Sequence, residues 1–218
     1  MQRRAFSRHL LAAGAAVLAP VAGLHPSLAQ AQAAGTPRFK EGTDYVRLGR
    51  PAPVDAPAGQ VEVLEFFAYT CIHCFNFEPV FESWKRKAPA HVVVRRVPVA
   101  FSEAFIPMQR LYYTLEAMGQ LDALHGKVFE AIHVGKQRLV NEAAITAWVE
   151  KQGVDVKKFS ELFNSFSVTG KARRAAQLQD AYQVEGTPAL GVGGRYTVAG
   201  QGPRTVLVAD ALIAELKK

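Results

Sequence analysis

Cysteine is scarce in this chain: 218 residues contain two, Cys71 and Cys74. Without a second pair, neither a four-cysteine zinc site nor the set of bridges that staples small secreted scaffolds can form. His73, His91, His125 and His133 show no ligand spacing that would complete a metal site around the two thiols, so no metal is expected. Apolar residues make up 49% of the chain and charged ones 21%, which excludes a disordered polypeptide. The net charge of +7 includes Arg3, Arg4 and Arg8, which lie in an N-terminal segment with no acidic residue. Once they are set aside the basic excess is modest and scattered, and no nucleic-acid footprint exists. Internal repeats are absent, and low complexity is confined to the Ala-rich start. An apolar stretch over 10–24 is too short, and too interrupted by glycine and proline, to span a bilayer comfortably.

That stretch fits an export signal: a basic start, an apolar middle, and the small-residue site Ala29-Gln30-Ala31. Residues 1–31 are expected to be cleaved. Arg3-Arg4-Ala5-Phe6 also resembles a twin-arginine signal, although a general secretory signal with paired arginines would read the same way. Both routes lead out of the cytoplasm, where disulfides persist.

The two cysteines stand as Cys71-Ile72-His73-Cys74. Closing so small a loop stabilises a fold by only about 2 kcal/mol in the chain-entropy model. The pair therefore reads as reversible redox chemistry, and the chain as an exported thiol–disulfide oxidoreductase.

Local patterns give an element order. Residues 44–48 suggest a short edge strand, followed by a loop rich in proline at 51, 53 and 57. The run Val61-Glu62-Val63-Leu64-Glu65-Phe66-Phe67 suits a strand covered on both faces. After Thr70, a plausible N-cap, Phe77, Val80, Phe81 and Trp84 recur at helical spacing, with a kink expected at Pro79. Residues 91–99 return to β character. From 101 to 166 the pattern is helical throughout: one helix starts at Pro107 and stops at Gly119, and another runs through Leu124 and Phe129. A third is capped by Asn141 and ends at Gly153, and a fourth has Phe159, Leu162, Phe163 and Phe166 on its inner face. A longer helix over 168–182 precedes Gly186-Thr187-Pro188, then a hairpin turned at Gly193-Gly194, and a last helix over 206–216 closes the chain. A parallel βαβ unit followed by an antiparallel hairpin resembles the thioredoxin fold, an α/β class. Here a helical domain is inserted at 102–167 between thioredoxin-like parts at 32–101 and 168–218.

A sulfur at a helix start meets unpaired amides and the positive end of the dipole, so Cys71 should be the exposed, attacking thiolate and Cys74 the buried resolving thiol. His73 could add a donor or cation beside Cys71, or could be a surface histidine with no role. Glu65, inside an apolar strand, could take the Cys74 proton or form a structural ion pair with Arg96 on the next strand. Glu62, on the opposite face, is expected to meet solvent. Pro188 should begin a strand; a cis Thr187–Pro188 bond would lay its loop against the cysteines, whereas an ordinary trans turn is the commoner state of such a dipeptide.

Taken together, Glu41-Gly42-Thr43-Asp44-Tyr45, Leu64-Glu65-Phe66-Phe67, the Cys71–Cys74 motif, Asn164-Ser165-Phe166 and Gly186-Thr187-Pro188-Ala189 resemble the DsbA family of bacterial periplasmic disulfide oxidoreductases. The resemblance implies a periplasmic dithiol oxidase that donates its Cys71–Cys74 disulfide to newly exported proteins bearing free thiols. It implies a very acidic Cys71, a cis bond before Pro188, a hydrophobic peptide groove contacted by Ile72, Thr187 and Pro188, and functional roles for Glu65 and Arg96. No cofactor is expected beyond the cysteine pair. A DsbB-type, quinone-linked inner-membrane partner would reoxidise the protein, and a monomer is expected. Ile72 stands where many members have proline, and Thr187 where an aliphatic residue is common, so the strength of oxidation and the choice of partner are the properties these departures touch. A reductase or isomerase of the same fold, and a binding protein with incidental cysteines, are the competing readings.

Overall fold

A computed structural model describes residues 39–217; the expected export signal at 1–31 lies outside them. Strand β2 (Val61–Phe67) is buried along its whole length, as its near-continuous apolar run requires. It pairs in parallel with β3 (Val92–Pro98), which places Glu65 directly opposite Arg96. The crossover between them is helix α1 (Ile72–Lys85), which runs through Pro79 as a single element.

After β3 a one-turn 3-10 segment (Glu103–Phe105) leads into α2 (Ile106–Ala117), α3 (Leu121–His133), α4 (Glu142–Lys151) and α5 (Val156–Phe163). Asn141 caps α4 by accepting from the Ala144 N–H at 2.9 Å. Helix α6 (Phe166–Ala181) returns the chain to the sheet. There β4 (Ala189–Val192) adds antiparallel to the other side of β2, β5 (Tyr196–Ala199) pairs with β4, and β1 (Val46–Arg47) forms the edge against β5. The sheet order is β1-β5-β4-β2-β3. Both glycines of the Gly193-Gly194 turn take positive φ, at 57° and 68°, as a tight hairpin of this hand needs. Helix α7 (Arg204–Leu216) ends the fold. Among the described residues no helix is long and apolar enough to cross a membrane.

The alternation of β2 divides the core in two. Val61 and Val63 join Phe77, Phe81, Leu190, Val198 and the inner face of α7 on one side. Leu64 and Phe66 join α2 to α6 on the other. Glu62 points to this second side and is fully buried, which corrects the expectation that it meets solvent. The α6 side of the sheet is covered, and Glu62 is held there by Arg95 and by the Asp55 N–H. Phe166 is a second correction. It does not extend the inner face of α5: Ser165 accepts from the Val168 N–H at 3.2 Å and starts a new helix, leaving Phe166 at its first position and 98% exposed.

Candidate active site

The turn 68–71 carries the chain from the buried end of β2 to α1. It closes with the Cys71 N–H donating to the Ala68 carbonyl at 3.0 Å. Cys71 is extended at φ −85°, ψ 115°, and its own carbonyl accepts the first helical bond from Phe75. The cap residue is therefore Cys71 itself and not Thr70, which lies exposed outside the helix. This correction moves the reactive sulfur as close to the open helix end as a side chain can be.

The two sulfurs occupy different environments. Cys74 is wholly buried, and burial pushes its thiol well above the ordinary value against weaker hydrogen bonds at Ala68 and Thr187. Cys71 is half-buried. Burial alone would raise its thiol, but hydrogen bonding by the Thr187 side chain, the amide and thiol of Cys74 and the amide of His73 outweighs burial and holds it below the ordinary value. Cys71 Sγ lies 3.3 Å from the Thr187 carbonyl oxygen, and the Thr187–Pro188 bond is cis. Ile72 and His73 are both exposed next to Cys71.

A groove of about 850 Å³ opens beside the pair, with His73, Asn76 and Phe77 on one wall and Tyr45, Thr187 and Pro188 among the residues facing them. Its apolar floor and exposed strand ends can receive an extended peptide next to Cys71.

Under α1, Glu65 forms the ion pair with Arg96 that the sequence left as one of two readings, at 2.8 Å. Arg96 also holds Glu78 at 2.6 Å and Glu82 at 2.7 Å, so one buried guanidinium serves three carboxylates. Burial pushes the Glu65 carboxyl up, and the neighbouring Glu78 and Glu82 push it further, while Arg96 opposes both. Glu82 goes the other way: Lys85 and Arg96 outweigh its burial and hold it below the usual range. Glu65 is the most deeply buried of the three.

Sequence reasoning missed Glu78 and Glu82. Their i,i+4 spacing on the face of α1 toward β3 was the available signal, but it acquires meaning only when β3 brings Arg96 beneath. It also left Tyr69, His125 and His133 without a role. Among the described residues no three His, Cys, Asp or Glu side chains converge as a metal site would require.

A βαβ unit with a hairpin, a Cys-x-x-Cys motif at the helix start and a cis-proline loop against it together define a thioredoxin-fold thiol:disulfide oxidoreductase. The DSBA-like thioredoxin domain family matches residues 62–211. The chain is 44% identical over its full length to the full length of the thiol:disulfide interchange protein DsbA of Bordetella parapertussis. It is 38% identical to that of Pseudomonas aeruginosa over 80% of this chain and 84% of the relative. The crystal structure of Pseudomonas aeruginosa DsbA superposes with a TM-score of 0.78 at 37% identity, covering 82% of this chain and 95% of that one. The oxidoreductase DsbA from Xylella fastidiosa gives 0.75 at 30% identity, covering 84% and 98%. The chain belongs to the DsbA-like thioredoxin family.

Proposed function

We propose that this protein is a periplasmic dithiol oxidase that donates the Cys71–Cys74 disulfide to exported proteins with free thiols. The observation that carries the reading is the opposite bias of the two sulfurs: Cys71 is favoured as an anion at the helix start, Cys74 as a buried thiol. A substrate thiolate attacks the Cys71 sulfur, the Cys71–Cys74 bond breaks, and Cys74 leaves with the electron pair and takes a proton. A second substrate thiolate then attacks the substrate sulfur of the mixed disulfide. Cys71 leaves as a stabilised thiolate, and the substrate keeps the new disulfide. Stabilising that leaving group favours the reduced form of this protein, and hence oxidation of the substrate.

Catalysis rests on Cys71, Cys74, His73 and Glu65, with Ile72, Thr187 and Pro188 against the peptide. The Thr187 carbonyl, 3.3 Å from Cys71 Sγ, and the place of Thr187 and Pro188 in the groove wall support that placement for the loop. Glu65 is read as the group that takes the Cys74 proton during reoxidation, supported by its burial on the α1 side of β2 and its upward-shifted carboxyl. The cysteine pair serves as the only redox group, a DsbB-type quinone-linked membrane protein reoxidises it, and the chain acts as a monomer after loss of 1–31. The helical segment 102–167 is proposed as a domain inserted into the thioredoxin-like frame.

Equilibration of the cysteine pair with glutathione tests the direction of electron flow. A potential well above that of thioredoxin, about −270 mV, is expected, and a value near it overturns the oxidase reading. Cys74→Ala should accumulate mixed disulfides through Cys71 in cells, and Cys71→Ala should capture none.

A further inference from the structure

Helix α3 carries two histidines two turns apart, and both reach Tyr69, the residue two positions before Cys71. His133 Nε2 lies 2.8 Å from the Tyr69 carbonyl oxygen, and because a carbonyl only accepts, Nε2 carries the proton and donates it. His125 Nδ1 lies 2.8 Å from the Tyr69 hydroxyl. Each ring also lies against α1 on the far side of the cysteine pair. The His133 ring stacks on Phe75, the residue after Cys74, with centroids 5.1 Å apart and planes 17° from parallel. His125 Nε2 lies 3.5 Å from Glu78 Oε1, on the carboxylate that Arg96 holds from below. Between the two, Phe129 packs edge-on against Tyr69 at 5.1 Å.

The segment before the cysteines and the helix after them are therefore tied to the helical block by the same two side chains. Tyr69 is 1% exposed, so its polar groups sit where water is excluded and a missing partner is costly. An apolar wall could bury the Tyr69 ring equally well. Only a donor opposite its carbonyl, and a polar atom opposite its hydroxyl, fix where the backbone of the turn 68–71 lies.

We infer that His133 and His125 are positioning residues for the Cys71 thiolate. They hold the turn 68–71 so that the amides of His73 and Cys74 stay aimed at the Cys71 sulfur. Neither is a catalytic residue, since each acts through Tyr69 and α1. The role rests on the reading of Cys71 as the attacking thiolate.

Two substitutions separate this role from plain packing. His133→Phe keeps a ring to stack on Phe75 and deletes the donor, whereas His133→Gln restores a donor of similar reach. In His133→Phe the equilibrium constant for oxidising glutathione should fall about tenfold, the effect of losing roughly one hydrogen bond's worth of thiolate stabilisation. Its 240 nm thiolate absorbance should titrate at higher pH, and His133→Gln should return both measures most of the way to parent. Parental values of both in folded His133→Phe overturn the inference. If that variant does not fold, Tyr69→Phe, which removes only the hydroxyl facing His125, is measured instead: a shift of roughly threefold or more supports the role, and parental values overturn it. Should the parent's own Cys71 titrate like an ordinary thiol, the oxidase reading fails first and this role fails with it.

Discussion

The sulfur of Cys71 lies 3.3 Å from the carbonyl oxygen of Thr187, although 116 residues separate them in the chain. Helix start and cis-proline loop thus meet at one atom, and the electrostatics of that atom set most of what can be tested.

Cys71 should ionise below the ordinary thiol value of about 8.5, and Cys74 above it. Iodoacetamide at neutral pH should then label the reduced protein at Cys71 alone, as read by peptide mass spectrometry. Linkage gives the sign of the stability effect. A group whose pKa is depressed by folding adds stability that is fully present above its unfolded value and is lost as pH falls through its folded value. Thermal denaturation of the reduced form should therefore gain on the oxidised form as pH rises toward about 8.5. A difference in Tm that does not change with pH contradicts the assignment.

Glu65→Gln should leave the protein at least as stable as the parent above neutral pH. The Glu65 carboxyl is pushed up, first by burial and then by Glu78 and Glu82, so the folded state keeps its proton longer than the unfolded chain does. Parental stability must then decline as pH rises from about 4.3, the unfolded glutamate value, through the raised one, and the Gln variant should lack that component of the slope. Reoxidation should slow about tenfold or more if the carboxyl moves the Cys74 proton. Equal slopes in urea titrations across this range would contradict the shift.

Arg96→Leu should be severely destabilising, by about 3–5 kcal/mol, because it removes the cation that buried Glu65 pairs with and one partner each of Glu78 and Glu82. Arg96 contacts Glu65, Glu78 and Glu82 at 2.6–2.8 Å from a nearly buried position. Adding Glu65→Gln to Arg96→Leu should recover part of the loss, and denaturant unfolding of the two variants measures it. A loss no larger than that of an exposed ion pair, about 1 kcal/mol or less, would show the cluster to be solvent-screened.

Ile72→Pro should fold and keep its redox character. Ile72 is the first residue of α1, where the missing N–H of proline is one that the helix leaves unpaired in any case. The amides of His73 and Cys74 act to lower Cys71. Its glutathione equilibrium should therefore stay within about tenfold of parent, roughly 30 mV for a two-electron couple. A larger change would mean that the residue at 72 acts on the sulfur through the helix backbone.

Much of the fold was legible because its signals are local. Pro107 lies in the first turn of α2, Asn141 caps α4, and Gly193-Gly194 turns the β4–β5 hairpin, each as the residue's own backbone preferences dictate. The misreadings have one physical source. Alternation tells which face of β2 Glu62 occupies but not what covers that face. Helical spacing puts Phe166 in line with Phe163, but the side chain of Ser165 competes for the next amides and wins. Thr70 has the better capping chemistry, yet the bond from the Cys71 amide back to Ala68 starts the helix one residue later.

From the sequence alone came the cysteine pair, its place at a helix start, and the deeper burial of Cys74, because dipole, open amides and apolar periodicity act over a few neighbouring residues; the sequence had Cys71 exposed, and the fold leaves it half-buried. Only the tertiary structure decided that Arg96 would gather Glu65, Glu78 and Glu82, and that the Thr187 carbonyl would face Cys71. It also decided that His125 and His133 would hold Tyr69 from 56 and 64 residues away. Those contacts depend on which strands pair and which helices cover them, and that follows from burying the whole apolar surface at once.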